Sequence, residues 1–313
     1  MSGRLKASLT PYLFLAPALL VLVLVVFWPA LQAFRLSFME YGYDVTQPPE
    51  WVGFENFQRL MRDKTFWQTL KNTVLYLVCV VPVLTIAPLF LAILVNQALK
   101  GMHWFRVAYY TPVVVSMVVA GIAWRWLYAE NGLLNQMLSG LAAAAKNMPV
   151  IGQFLPQAFS EPIAIPWLTS PDWVLFSVMA VTIWKGLGYY MVIYLAGLQG
   201  LPADLYEAAA IDGSDGWRRH WDITLPLMKP YLFLVAVISA IAATKVFEEV
   251  FIMTQGGPRN ASKTVVYYVY ESAFKDLDMS YACTIGLVLF LIILALSFVR
   301  LALAHPAESG THL

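Results

Sequence analysis

Charge is the property that this sequence has least of. Asp, Glu, Lys and Arg make up 12% of the 313 residues and hydrophobic residues 60%, whereas soluble domains carry roughly 25% charged residues. A soluble core of this composition would leave large apolar patches facing water, which excludes an ordinary soluble enzyme and a disordered regulator. The 20 basic and 19 acidic residues nearly cancel, so no nucleic-acid partner is expected. The composition predicts an integral membrane protein.

Motifs that carry chemistry are also scarce. The two cysteines, Cys79 and Cys283, fall in apolar runs and are interpreted as packing residues, not as a disulfide or a metal site. All four histidines lie in segments predicted to be cytoplasmic: His103, His220, His305 and His312. The sequence has no G-x-S-x-G motif and no G-x-x-x-x-G-K-[ST] phosphate loop. We therefore predict a protein that is not an enzyme, with no catalytic residue, metal site or cofactor of its own.

Long runs with little or no charge indicate the fold class. A helix needs about 20 apolar residues to cross a bilayer. The runs predict six transmembrane helices, at about 12–34, 72–97, 105–128, 173–199, 230–254 and 281–303. Segments of alternating polarity, which would indicate a barrel, are absent. The prediction is an all-α integral membrane protein, a six-transmembrane-helix bundle forming one domain over 1–313.

The first run has some features of a signal peptide, because Arg4 and Lys6 precede it. It is too long to be cleaved, and no A-x-A-like site follows, so it is interpreted as a transmembrane helix. Pro17 and Pro29 within it are tolerable in lipid. Lys and Arg are somewhat denser in the loops that lie inside if the N-terminus is cytoplasmic. Six helices then place both termini in the cytoplasm.

The loop after the fourth predicted helix, Leu201–Pro226, is the most informative segment. Asp204 suits the first turn of a short helix, and Gly213 suits its end. A second short helix is predicted to start at Ser214, whose hydroxyl can cap it, and to end near Asp222. The first helix is either a surface helix resting on the membrane or an alanine-faced element that docks in the groove of a partner.

The same loop fits the pattern E-A-A-x3-G-x9-I-x-L-P without a gap. It resembles the EAA loop of the permease subunits of bacterial ABC importers, and the longer stretch Trp184–Pro230 resembles the carbohydrate-uptake, maltose-type branch. Further family-like stretches are W-V-G-F-E-N-F at 51–57, N-G-L-L-N at 131–135, G-G-P at 256–258 and Y-V-Y at 268–270. The resemblance covers nearly the whole chain.

The resemblance implies a mechanism and partners. The loop would be the cytoplasmic coupling helix that docks on an ATPase, through Glu207, Ala208, Ala209, Gly213, Ile223, Leu225 and Pro226. Two cytoplasmic ATPase subunits would use ATP and Mg to drive alternating access, beside a second homologous permease. An extracytoplasmic binding protein would deliver a sugar or sugar-like solute (an oligosaccharide, glycoside or polyol) across the bacterial inner membrane.

Charged and aromatic residues inside predicted helices mark a candidate substrate pathway. In helix five, Lys245 lies three and four residues before Glu248 and Glu249, so an internal ion pair and a polar cavity lining both fit. Helix four supplies four further candidates: Trp184, Lys185, Gly188 and Tyr189. The two aromatic residues among them fit interfacial anchors equally well.

Two further expectations concern an insertion and an alternative function. The stretch at about 142–164 is interpreted as an insertion in an outer loop, which packs over the outer mouth or contacts the binding protein. The alternative function is an ion-coupled secondary carrier of a small polar solute. Such carriers usually show internal repeats, and no repeat is recognisable between 1–128 and 173–303, so the importer permease is favoured.

Overall fold

The computed structural model describes Tyr12 and residues 14–41, 48–97, 99–146 and 164–304. They form two compact units. One comprises the described residues up to Phe66 and those from Tyr268 onward, and the other runs Trp67–Tyr267. Both chain ends and most of the predicted insertion at 142–164 lie outside the described residues.

Most of the described chain is helical. In chain order the elements are α1 (Phe14–Leu36), β1 (Met39–Glu40), β2 (Glu50–Trp51), α2 (Glu55–Arg62), α3 (Lys64–Val95), α4 (Met102–Val114), α5 (Met117–Leu127), α6 (Leu133–Lys146), α7 (Val174–Gln199), α8 (Ala203–Ile211), α9 (His220–Leu227), α10 (Lys229–Thr244), α11 (Glu248–Met253), α12 (Val265–Phe274) and α13 (Met279–Ala304). The two strands pair antiparallel, with Met39 opposite Trp51. A π-helical segment lies within α1 at Val23–Phe27, and another begins α9 at His220–Thr224.

Three of these helices, α1, α3 and α7, are each long and apolar enough to cross a membrane. Two bent pairs pass the same test together, α4 with α5 at 98° and α9 with α10 at 57°, and α13 is apolar over Met279–Ala295. The predicted multi-pass helical membrane fold is therefore confirmed. Treating each bent pair as one span gives five spans, and the predicted count of six also requires α13 to be counted as one.

The bounds of three predicted helices, 12–34, 173–199 and 281–303, closely match α1, α7 and α13. The second predicted helix, 72–97, starts too late, because α3 begins at Lys64. The carboxylate of Asp63 accepts the backbone N–H of Thr65 at 2.8 Å and caps the helix. The prediction started too late because Lys64 and Lys71 interrupt the apolar run in the first turns of α3, although the helix itself continues through them.

The third predicted helix, 105–128, is wrong as a single helix. The structure ends α4 at Val114, continues through an extended link and starts α5 at Met117, turned by 98°. Pro112, in the last turn of α4, has no N–H to continue the ladder. A break at membrane depth persists only where protein groups satisfy the freed backbone, and the sequence pattern does not reveal such groups.

The fifth predicted helix, 230–254, is also wrong as a single helix. Helix α10 ends at Thr244 and α11 begins at Glu248. The link between them is non-helical, and the hydroxyl of Thr264 donates to the carbonyl of Val246 in it at 2.9 Å. Since the segment is uniformly apolar up to the break, composition predicted the span but not the interruption.

The family-like stretch at 51–57 has a structural role in the first unit. Gly53 adopts φ +62°, a left-handed conformation that favours glycine, and turns the chain into α2. The side-chain amide of Asn56 donates to the carbonyls of Ser37 at 3.3 Å and Met39 at 2.9 Å. These bonds hold the segment after α1 against α2.

Candidate functional site

The loop between α7 and α9 folds around the short helix α8, as predicted. Asp204 lies in its first turn, and Gly213 follows its last turn with φ +79°. The N–H of Gly213 donates to the carbonyl of Ala210 at 3.2 Å, and the N–H of Ser214 donates to that of Ala209 at 2.8 Å. This is a Schellman motif, so the motif glycine ends the helix.

Most of α8 is exposed, including the face that carries Glu207 and Ala208. Asp204, Glu207, Ala208 and Ile211 recur at helical spacing and all are exposed, Ile211 by 86%. Ala209 points the other way and is buried. Of the predicted E-A-A contact, the first two residues are therefore accessible to another protein, while the third packs inside the loop.

The remaining residues predicted for the docking loop lie on the next helix. Ile223 and Leu225 are half-buried and Pro226 is exposed, all on α9. The hydroxyls of Tyr206 on α8 and Thr224 on α9 form a hydrogen bond at 3.1 Å. This bond ties α8 to the helix that leads into α10.

The second short helix, predicted from Ser214 to Asp222, has different bounds. The hydroxyl of Ser214 donates to the carboxylate of Asp222 at 2.6 Å and does not cap a helix. Arg218 also approaches Asp222, with Nε 3.3 Å from the carboxylate. The carboxylate is the stronger acceptor, and the assigned helix α9 runs His220–Leu227.

Lys185 on α7 binds the break between α4 and α5. Its ammonium donates to the carbonyls of Pro112 and Val113, each at 3.4 Å, and to that of Val115. The last carbonyls of a helix lack intrahelical donors, and the three N–H groups of an ammonium match these three acceptors. The structure therefore places this predicted pathway residue in a helix-terminating role.

Gly188, on the same helix, brings α4 and α7 into backbone contact. A Cβ added at Gly188 would lie 2.0 Å from the carbonyl oxygen of Tyr109 and 2.9 Å from the Cα of Tyr110. Small residues at membrane-helix interfaces allow such close approach. This second predicted pathway residue therefore lies in a helix–helix contact.

Trp184 and Tyr189 have different environments. Trp184 is half-buried and meets Trp124 edge-on, with ring centroids 5.5 Å apart. The ring centroids of Trp124 and Tyr128 are in turn 5.3 Å apart. Tyr189 is 44% exposed, so it alone of the four predicted residues on α7 presents an exposed side chain.

Glu249 on α11 belongs to a polar chain that crosses three helices. The hydroxyl of Thr182 on α7 is 3.3 Å from Glu249 Oε1, to which it donates. It also shares a hydrogen bond with the hydroxyl of Tyr76 on α3, whose side chain is fully buried. The carboxylate is thereby tied to α7 and α3, and the predicted partner of Glu249, Lys245, does not take part.

Lys245 and Glu248 do not form the predicted ion pair. Both residues are exposed. Such a pair needs a continuous helix, and α10 ends at Thr244. In the described ranges the ion pairs within 4.0 Å are Arg59–Asp278, Arg218–Asp222 and Glu271–Lys275.

Thr182 and Tyr76 were not predicted from the sequence, because uncharged polar residues in apolar helices give no periodic signal. Another contact at membrane depth joins α5 to α11, where Arg125 Nη1 lies 3.4 Å from the carbonyl of Ile252. Beside it is a cavity of about 440 Å³. Its lining includes Arg125, Tyr128, Glu130, Trp167, Thr254 and Pro258. No three His, Cys, Asp or Glu in the described ranges are placed to hold a metal.

A separate polar cluster lies in the first unit. Asp63 accepts hydrogen bonds from the hydroxyls of Tyr268 and Tyr281, each at 2.6 Å. Burial alone would raise the pKa of Asp63, but these two bonds and the N–H groups at the start of α3 outweigh it and lower the pKa below its usual value. The guanidinium of Arg59 pairs with Asp278 at 2.7 Å and lies 4.0 Å above the ring of Tyr281. The cluster holds α2 against α12 and α13.

Comparison with known proteins gives concordant matches. Residues 127–305 match the family described as binding-protein-dependent transport system inner membrane component. The chain is 33% identical over 301 residues to the lactose transport system permease protein LacF of Rhizobium radiobacter, covering 95% of this chain and 94% of that protein.

Two crystal structures of a bacterial ABC transporter share the fold. One, of a transporter involved in the import of the acidic polysaccharide alginate, contains a chain with TM-score 0.78 and 22% identity, covering 99% of this chain and 100% of that one. The other, of the alginate transporter in complex with an alginate pentasaccharide-bound periplasmic protein, gives TM-score 0.74 and 20% identity, covering 93% and 92%.

Proposed function

This chain belongs to the binding-protein-dependent transport system inner membrane component family, as a permease subunit of carbohydrate-uptake ABC transporters, and we propose that it carries a sugar or sugar-like solute. Support for the solute class comes from the lactose permease relative and from the alginate importer fold. The alginate complex also supports delivery by an extracytoplasmic binding protein. Transport proceeds by alternating access.

The remaining partners follow from this assignment. Two cytoplasmic ATPase subunits hydrolyse ATP with Mg, a second homologous permease completes the path, and the chain itself holds no cofactor. The chain is a single transmembrane domain over 1–313 with six spans, each bent pair counting as one, and an insertion at 142–164. Both termini and α8 lie in the cytoplasm.

The observation that carries the proposal is the exposed face of α8. The short helix α8, which is followed by Gly213, presents the carboxylate of Glu207 next to the small side chain of Ala208. Ile211 adds an apolar side chain at the end of the same face. Such a surface suits a groove on a partner, with Glu207 giving specificity and Ile211 contact area. We assign this face to the ATPase contact, with Ala209, Gly213, Ile223, Leu225 and Pro226 shaping the loop behind it.

Reversing the charge of Glu207 tests the contact. The change Glu207→Lys is expected to leave the chain in the membrane but to abolish co-purification with the ATPase and transport, because an ammonium would replace a carboxylate at the centre of the interface. Asp215→Lys is the matched control, since it makes the same charge change at an exposed residue beyond the end of α8. It should weaken association less. Full transport by Glu207→Lys would remove the docking role.

The energy source separates an importer from an ion-coupled carrier. In cells or vesicles, uptake should stop when ATP is depleted although the ion gradient persists, and should continue when an ionophore collapses the gradient while ATP is held constant. The expected loss on ATP depletion is complete, because this mechanism has no other driving reaction. Uptake that follows the gradient instead would overturn the importer assignment.

The proposed substrate pathway runs past α11. Tyr189, Lys245 and Glu248 are exposed in the chain taken alone, and we assign them to the surface that faces the second permease and the cargo. Polar groups at membrane depth usually face a cavity or a partner. Glu249 positions α11 through its hydrogen bond with Thr182. Trp184, Lys185 and Gly188 hold the helices that surround the pathway in place through their contacts with α4 and α5.

A further inference from the structure

Two cavities in the second unit adjoin one another between α3, α9 and the start of α10. The first, of about 230 Å³, carries the polar side chains of the groove, and Ile93 and Leu198 complete a lining that consists of Asn96, Gln97, Tyr206, Arg219, His220 and Thr224. The second, of about 260 Å³, is apolar and is lined by Ile86, Phe90, Trp217, Trp221, Leu225 and Leu232, among others. Ile93, His220 and Thr224 line both. Together the cavities form one amphipathic groove.

The groove lies at the C-terminal end of a helix that is long enough to span a membrane. Helix α3, which is apolar enough to span the membrane, supplies Phe90 to the apolar part and ends at Val95, next to the polar part. Trp217 is 58% and Trp221 64% exposed. Exposed tryptophan at this position is typical of the headgroup level of a bilayer. The apolar part therefore faces acyl chains and the polar part faces headgroups.

The charge in the groove has one sign. Arg219 is the permanent charge among the residues that line the two cavities, and no carboxylate lines either of them. Its guanidinium lies 6.0 Å from the ring centre of Tyr206. Within the described ranges Arg219 forms no ion pair, whereas its neighbour Arg218 is paired with Asp222. A guanidinium with open donors is the protein group best suited to a phosphate.

We propose that this groove binds an anionic phospholipid. The phosphate lies against Arg219, with Asn96, Gln97 and the Tyr206 hydroxyl in reach of the headgroup. One acyl chain lies along Phe90, Trp217 and Trp221. A free phosphate would leave the apolar part empty, and a purely apolar occupant would leave Arg219 unpaired.

The bound lipid would touch the segment that joins α8 to α9. Tyr206 on α8 and His220 on α9 both bond to the hydroxyl of Thr224, at 3.1 Å each, and all three side chains line the polar cavity. Occupancy would therefore order the loop whose exposed face carries Glu207. This makes anionic lipid a stabiliser of the loop geometry, separate from the ATPase contact itself.

Lipid retention by the purified full-length chain in nanodiscs tests the proposal. The discs contain either phosphatidylcholine alone or phosphatidylcholine with a minor fraction of phosphatidylglycerol, and native mass spectrometry counts the lipid that stays bound. Phosphatidylglycerol should be enriched on the wild-type chain. Arg219→Gln should reduce the enrichment about tenfold or more, the effect of losing a hydrogen bond between two charged groups. Arg218→Gln is the matched control and should leave it unchanged, and equal losses in both variants would overturn the proposal.

A second measurement does not depend on the arginine variant. Phosphatidylglycerol brominated in its acyl chains quenches nearby tryptophan, and the wild-type chain should lose more fluorescence than the Trp217→Phe/Trp221→Phe double variant. Equal quenching of the two, as expected if another protein chain covers the groove, would contradict the proposal. Displacement of the lipid by inorganic phosphate or glycerol phosphate alone would also contradict it, because the acyl chain would then contribute nothing.

Discussion

Replacing Gly188 with alanine is expected to prevent α4 and α7 from packing and to abolish accumulation of a folded chain. The added Cβ would lie 2.0 Å from the carbonyl oxygen of Tyr109. Backbone atoms cannot rotate away as a side chain does, so the helices must separate. Overpacking usually costs about 1–3 kcal/mol, and more where backbone must move, so we expect a loss above about 3 kcal/mol. Size-exclusion chromatography and thermal unfolding in detergent would measure it.

Two other glycines provide controls for the loss of stability expected in Gly188→Ala. At Gly186 an added Cβ would approach Leu84 Cδ2 at 2.9 Å, and a leucine terminus can shift, so Gly186→Ala should cost less. At Gly140, on α6, a Cβ would meet nothing within 4 Å, and Gly140→Ala should be neutral or stabilising by up to about 1 kcal/mol. If Gly188→Ala folds as well as Gly140→Ala and alters only transport, Gly188 belongs to the pathway and not to helix packing.

Replacing Lys185 with methionine is expected to lower the stability of the folded chain strongly, as the Gly188 change does. Methionine keeps most of the length of the side chain but removes the ammonium that binds the carbonyls of Pro112, Val113 and Val115. Unpaired backbone groups at membrane depth each cost several kcal/mol. We therefore expect a loss of about 3 kcal/mol or more, seen as a lower melting temperature and faster proteolysis at the link between α4 and α5.

Lys245 provides the control for removal of a lysine charge. It is exposed and outside the ion pairs of the described ranges, so Lys245→Met should leave the melting temperature nearly unchanged. Lys185→Arg should keep part of the stability, because a guanidinium can still donate to carbonyls. If Lys185→Met and Lys245→Met have equal stability, Lys185 does not support the break. A selective loss of transport in Lys185→Met would then restore the cavity prediction.

The helical spans and the α8 loop were predictable from sequence because each depends on local signals. Apolar length alone predicts α1, α7 and α13, since lipid requires about 20 such residues whatever their neighbours are. The end of α8 at Gly213 follows from a backbone conformation that glycine adopts at little cost. The resemblance to the EAA loop pointed to Glu207 and Ala208, which the structure places together on one exposed face.

The breaks and the roles of the intramembrane charges were not predictable, because their partners are distant in sequence. Lys185 was assigned to the pathway as a charge in an apolar helix, but its three carbonyl acceptors lie 70 to 73 residues earlier in the chain. The predicted pairing of Lys245 with Glu248 assumed one continuous helix. In the structure α10 ends at Thr244, before both residues. Pro112 is a local signal for the first interruption, but no local pattern reveals the distant groups that stabilise either break.

The sequence by itself determined that this chain lies in a membrane, that it is helical and that it presents the α8 motif. These properties depend on solvent transfer and on local backbone preference, which act over a few turns of chain. Only the tertiary structure decided which intramembrane charge supports a helix end, which glycine brings two helices together and which carboxylate joins α11 to its neighbours. Those outcomes depend on hydrogen bonds and close contacts between distant segments, since in lipid every freed backbone or charged group must find its partner within protein.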